Sequence, residues 1–368
     1  MTRPSGPTPP SLAVVFDTAD AAAFTHSALA AHQPVAGRVT LHPGPGTTGD
    51  TALAHDLLVA LGKPPQLTGR FPAGRQPVWE AAAAWIQALP VTRLTVLRAH
   101  RLTDRRLQRL LALWRQTGIH LTLVVHRPRL TAALDRALAP VPHTRTATLA
   151  KARALYFDGR PSVASGTAPA AASAAPGPGR WLTLPSLDRL VSYDSPGPCT
   201  GPCLPGLIDW RQRPAPEPLT AAQAAEAVRR IHTATAHPRL AAALASTLFT
   251  GASLQQLATA RSDDFHDAPA LLALHDQTRF TDGCATHPVP AWAAVFLRAA
   301  THYAHLTGTT HLLAEPGERP AVLRLAETAR LRPPQPPGAQ NAGRPGTVVW
   351  DWREVREARG YRPAPTAR

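Results

Sequence analysis

Lysine is almost missing from this sequence. Only Lys63 and Lys151 occur among 39 residues of the Lys and Arg types, so arginine carries the positive charge. Cysteine is scarce too, at three residues, and excludes a disulfide-stapled scaffold. The opening MTRPSGPTPP is polar, so no secretory signal is expected, and a reducing, cytoplasmic location follows. No apolar run approaches the ~20 residues of a membrane-spanning helix, so no membrane partner is expected. Acidic residues number 24, which leaves a formal charge of +15 and a pI of about 11.2. Such a surplus attracts polyanions, and DNA is the partner it points to. GC-rich coding also raises Arg, Ala, Pro and Gly, so a basic surface with no partner is the competing reading.

The chain of 368 residues is long enough for two domains, and its 44% hydrophobic content supports two cores. Residues 1–10 are expected to be disordered, 11–158 to form an α/β domain, and 159–180, rich in Ala, Pro and Gly, to be a linker. A mainly helical domain is expected over 181–330 and a Pro-rich tail over 331–368. In the first domain, Gly37–Leu41, the run starting at Arg93 and Ile119–His126 read as strands. Leu12–Gln33 begins apolar and continues as a helix, with Asp17 or Thr18 as its cap. Thr103–Thr117 places Leu107, Leu110, Leu111 and Trp114 on one helical face, closed by Gly118. In the second domain Thr220 and Gln223 form a capping box for a helix over Thr220–Thr235. Alternation over Ala270–Phe280, with a return at His287–Pro290, predicts a β-hairpin before a helix at Ala291–His305.

Within Val39–Gly62 the loop Gly44-Pro45-Gly46-Thr47-Thr48-Gly49-Asp50-Thr51 fits the phosphate-loop pattern G-x-x-x-x-G-K-[ST] except at one place. Asp50 stands where the lysine belongs and puts negative charge where a triphosphate needs positive. Further on, Ala99-His100-Arg101-Leu102 follows an apolar strand, but Leu97 and Arg98 occupy the positions of the two metal-holding acids of a Walker B segment. Over residues 10–155 the layout resembles the AAA+ helper ATPases of transposition, of the TniB-like type. The resemblance implies an α/β P-loop domain with a parallel sheet, a polar sensor position at His126, and a pseudo-ATPase with a degenerate site at Gly44, Gly46, Gly49, Asp50, Thr51, Leu97 and Arg98. Nucleotide is not expected to bind productively. A Rossmann-like domain with a chance Gly-rich turn is the plainer alternative.

In the second half, Thr250-Gly251, Leu257 and Ser262-Asp263-Asp264 match a segment that resembles the catalytic domain of tyrosine recombinases of the phage-integrase type, over about 215–310. The resemblance implies a mainly α fold with a small β-hairpin. It also exposes gaps: Ser253 stands where the phosphate-clamping arginine belongs, Arg279 is the nearest hairpin cation, and Tyr361 lacks the context of a nucleophile. Phosphodiester exchange needs an activated tyrosine and guanidinium groups, so no catalytic residue is assigned. An unrelated helical domain with a hairpin is the alternative.

Two further sets of residues carry chemistry. Cys199 and Cys203, with Cys284 and His287, offer two short-spaced pairs of the kind zinc uses, and form a candidate zinc site; three unrelated cysteines are the plainer reading. Arg101, Arg105, Arg106 and Arg109, with Arg229, Arg230 and Arg261, are candidate DNA contacts, because the planar guanidinium suits phosphate. A solvated helix face competes with that reading. Together these features point to a non-catalytic DNA-binding or scaffold protein of a mobile-element, recombination or replicon-maintenance system, with a recombinase or transposase as a candidate protein partner. An enzyme with atypical catalytic residues, and a protein-interaction module without DNA, are the alternatives.

Overall fold

A computed structural model describes residues 11–44, 49–69, 71, 74–157, 181–182, 184, 186–187, 216–278 and 281–333, by backbone alone at 275–278, 281–285 and 316. The expected disordered start, the 159–180 linker and nearly all of the Pro-rich tail lie outside these residues. The chain divides into two units, Met1–Pro65 with Pro77–Ala172, and Gln66–Gln76 with Ser173–Arg368. The break at 172 falls in the stretch read as a linker. The grouping of Gln66–Gln76 with the second unit has no local signal in the sequence.

The first unit is built on β1 (Leu12–Phe16), β2 (Arg38–Leu41), β3 (Arg93–Val96), β4 (His120–Val125) and β5 (Thr144–Thr146). They form one parallel sheet in the order β2-β3-β4-β1-β5. Its helices are α1 (Ala22–Ala30), α2 (Asp50–Ala60), α3 (Val78–Ala88), α4 (Asp104–Thr117), α5 (Ala132–Leu138) and α6 (Leu149–Tyr156). The apolar start at Leu12, ahead of the expected cap at Asp17 or Thr18, is an inner strand, and the helix that follows begins at Ala22. LAVVF and LTLVV are runs rich in aliphatic and β-branched residues, buried along almost their whole length, as strands of a parallel sheet covered on both faces must be. Gly37 (φ 79°) turns the chain into β2, where a Cβ would lie 2.2 Å from the Pro90 carbonyl oxygen.

Connectivity fixes where this unit opens. From β1 the chain crosses to the far edge at β2, then returns strand by strand to β4, and finally passes over β1 to β5. Right-handed crossovers therefore put the connection after β1 on one face and those after β2, β3 and β4 on the other. Accordingly α1 and α6 pack together over Val15 and Val124, while α2, α3, α4 and α5 contact one another in sequence. The loops leaving β1 and β4 diverge, which opens a crevice at the carboxyl ends of these neighbouring strands.

The second unit contains α7 (Ala221–Ala234), α8 (Pro238–Thr250), α9 (Leu254–Leu257), β6 (Phe265–His266), β7 (Leu271–Thr278), β8 (Thr281–Pro288), α10 (Ala291–Thr307) and α11 (Arg319–Thr328). α8 is buried on every side except at Phe249, and α7, α9, α10 and α11 all pack on it. The Thr220–Gln223 capping box forms at the start of α7 as the sequence predicts. A hairpin forms as well, with β7 and β8 antiparallel in register from Leu271↔Pro288 to Thr278↔Thr281, so its return strand starts at Thr281, ahead of the return expected at His287–Pro290. Among the described residues no helix is long and apolar enough to cross a membrane.

Candidate functional site

The crevice between β1 and β4 is lined by the residues that end those strands. Phe16 and Val125 are the last pair in register, so Asp17 and His126 leave the sheet side by side. The Asp17 amide donates to the Val125 carbonyl at 2.9 Å, and its Oδ1 accepts from the Ala21 amide at 2.9 Å at the entry to α1. This leaves Oδ2 to face His126 Nδ1, 2.9 Å away. Asp20, held at a φ of 47°, brings Oδ1 to 2.9 Å from the same nitrogen. The Asp17 and His126 side chains are 1% and 2% exposed, whereas that of Asp20 is 51% exposed.

Other side chains close around this group. His100, in the 3₁₀ turn after β3, accepts from the His126 amide at Nδ1 (3.3 Å), and the two rings meet edge to face. Burial lowers the His100 pKa most, followed by His126, Arg127, Arg101 and Arg98. Arg98, itself at a φ of 52°, lies 3.5 Å from Asp20. Tyr156 reaches in from α6 with its hydroxyl buried, and burial, then the Asp17 charge, raises its pKa. The site thus pairs two carboxylates and an imidazole with a rim of arginines from two loops. Carboxylate and imidazole groups can hold a divalent cation, and the arginines can hold an anion.

The residues singled out from the sequence fall elsewhere or into different roles. The Gly-rich loop follows β2, the edge strand, and Gly46 lies outside the described residues. The Gly44 amide donates to Asp56 (3.0 Å), Thr51 is exposed, and Gly49 gives its carbonyl to both Nε and Nη2 of Arg106 (3.0 and 2.9 Å). Asp50 is buried and lies 3.3 Å from Arg105 and 3.5 Å from Arg109. Burial opposes its charge, but Arg105, the Thr51 amide and Arg109 together hold its pKa below the ordinary value. Leu97 is a core residue packed with Val15, Phe24 and Val124. Carboxylates do reach this edge of the sheet, from the end of β1 rather than of β3.

Two of the seven candidate DNA contacts are turned inward and are corrected here. Arg106 is buried against Gly49, and Arg230 is buried with its guanidinium on Glu226 (2.5 Å) and the Arg330 carbonyl (2.7 Å). Their guanidiniums donate to the Gly49 and Arg330 carbonyls, so these two arginines tie a loop and a helix end into the fold. Arg101, Arg105, Arg229 and Arg261 are exposed and Arg109 half-exposed, Arg229 in an ion pair with Glu226. Of the candidate zinc ligands, Cys199 and Cys203 lie outside the described residues. Cys284 and His287 both lie on β8, with Cys284 described by its backbone alone. His287 is half-buried, and desolvation lowers its pKa to about 4. Ser253, at the position expected for an arginine, is the buried N-cap of α9.

The sequence alone gives Asp17 a role only as a helix cap, Asp20 none, and His126 only a sensor position. A signal was present: LAVVF and LTLVV are both apolar runs that stop at a metal- or proton-binding side chain. What the pattern lacks is the statement that the two strands are neighbours. No protein-family model matches the chain, and no curated protein matches it either.

Proposed function

We propose that this is a non-catalytic DNA-binding or scaffold protein that holds the nucleic-acid backbone through arginines, and that it does not hydrolyse ATP. The observation that carries the reading is that Arg98, Arg101 and Arg127 follow the ends of the neighbouring strands β3 and β4, with Arg98 3.5 Å from Asp20. Arg101 and Arg127 are exposed, and a net charge of +15 provides the long-range attraction. The pseudo-ATPase part rests on Asp50, whose carboxylate stands at the phosphate-lysine position and already engages Arg105 and Arg109. A recombination or transposition partner fits a DNA-bound scaffold, and the proposal includes one.

The test is duplex binding across a salt series. Phosphate-dominated binding gives a log–log slope of about −0.9 per neutralised phosphate. Arg101→Ala with Arg127→Ala should weaken binding and shallow the slope by about two such contacts. Absence of binding to duplex at low salt would overturn the proposal. In the same preparation Mg²⁺-ATP should show no turnover; turnover that vanishes in Thr51→Ala would refute the pseudo-ATPase part.

A further inference from the structure

The crevice at the end of β1 and β4 contains more buried, unsatisfied polar atoms than a structural cluster explains. Oδ2 of Asp17 and both ring nitrogens of His126 are buried and make no hydrogen bond. His126 Nδ1 lies 2.9 Å from one oxygen of each carboxylate, yet neither approach has hydrogen-bond direction. Instead three electron-pair donors, Asp17 Oδ2, Asp20 Oδ1 and His126 Nδ1, lie within 4.8 Å of one another. Adjacent ligands on an octahedral ion with bonds of about 2.1 Å stand about 3 Å apart, close to the separations observed here.

We infer that Asp17, Asp20 and His126 bind one divalent transition-metal cation. The ligand set selects the class of ion. Two carboxylates would suit Mg²⁺ or Ca²⁺, but imidazole favours the Mn²⁺, Fe²⁺ and Zn²⁺ group. A rigid part of the site is preformed: the Ala21 amide fixes Asp17, and the backbone of His126 is fixed on His100. Asp20, half-exposed, is the open side through which an ion enters and where positions not filled by protein meet solvent. Burying a carboxylate and an imidazole without a partner for their lone pairs is costly, and one cation satisfies all three atoms at once.

Titration of the whole protein with Mn²⁺ alone, followed by loss of the free-ion EPR signal, tests this. One Mn²⁺ per chain is expected, displaced by Zn²⁺, with a rise in Tm as the ion loads. Asp20→Asn, on the exposed side of the site, keeps the fold by circular dichroism and should weaken Mn²⁺ binding by roughly ten-fold or more. His126→Gln should do the same, while Asp135→Asn on α5 should not. No uptake at millimolar Mn²⁺ would overturn the inference, as would uptake that Asp20→Asn and His126→Gln both leave unchanged. The measurement contains no DNA. Uptake of Mn²⁺ by a protein that ignores duplex would refute the proposed function alone, and duplex binding without uptake would refute only the metal site.

Discussion

His237 shows how a single residue couples the second unit to pH. It is fully buried at the start of α8, its ring 5.8 Å from Phe71 and 5.3 Å from Tyr303 between centroids. Burial, and then the neighbouring Arg239, lowers its pKa from 6.5 to about 3. The unfolded chain takes up a proton at His237 below about pH 6.5 that the folded chain refuses until about pH 3. The stability it contributes is therefore complete above pH 6.5 and is lost as pH falls through that window. The loss approaches ~1.4 kcal/mol per pH unit in the middle of the window. Urea unfolding between pH 7 and pH 4 should show a shallower acid decline in His237→Phe than in the parent. An unchanged decline would mean that other groups set the acid limb. Arg239, by contrast, is a buried charge with partners at Nε and Nη2: the Leu313 carbonyl at 3.1 and 2.9 Å, Glu315 at 3.0 Å and Glu318 at 3.2 Å. Losing it leaves two acids facing each other, and Arg239→Met is expected to cost on the order of 3 kcal/mol.

At the level of elements, two capping boxes of the same design sit in opposite surroundings. Thr220 caps exposed α7, accepting from the Gln223 amide at 3.3 Å while Gln223 Oε1 returns to the Thr220 amide at 2.9 Å. Ser253 caps α9 in the same way at 3.4 and 2.9 Å, but inside the unit. Water replaces a lost cap only at the first. Thr220→Ala should cost about 1 kcal/mol and Ser253→Ala about 1–3 kcal/mol, read from denaturation midpoints with unchanged m. Equal costs would mean that solvent reaches α9. The segment Gln66–Gln76 contributes to the second unit in a different way. Thr68 meets Thr235 at 3.4 Å and Phe71 stacks on His237, so residues between two helices of the first unit complete the second unit's core. Phe71→Ala should lower the second unit's stability by roughly 1–3 kcal/mol.

For the molecule as a whole, charge decides the form of any nucleic-acid contact. Contacts to phosphate position a protein on a duplex and do not read bases. With arginine as nearly the sole cation, two unrelated duplexes of equal length should bind within about three-fold of each other, and heparin should compete with both. A preference of a hundred-fold or more between them would mean that base edges are read. The two lysines do not add to this surface charge equally: Lys63 is buried with Nζ 3.2 Å from the centre of the Trp85 ring, and burial pushes its pKa well below the ordinary value. Lys151 is exposed on α6.

The sequence by itself determined what depends on neighbours along the chain. The helix at 104–117 and its glycine stop, the Thr220–Gln223 cap and the β7–β8 hairpin are local patterns, set by period, capping chemistry and alternation. It also determined the charge. Tertiary structure alone decided that the run at Leu12 is an inner strand, because whether an apolar pentapeptide is a strand or the first turn of a helix depends on what lies beside it. It decided that Gln66–Gln76 belongs with the second unit. And it decided the site: Asp17 and His126, 109 residues apart, meet because β1 and β4 pair in parallel and end together. No short motif spans that distance, so the carboxylates at this edge were legible only once the strand order was known.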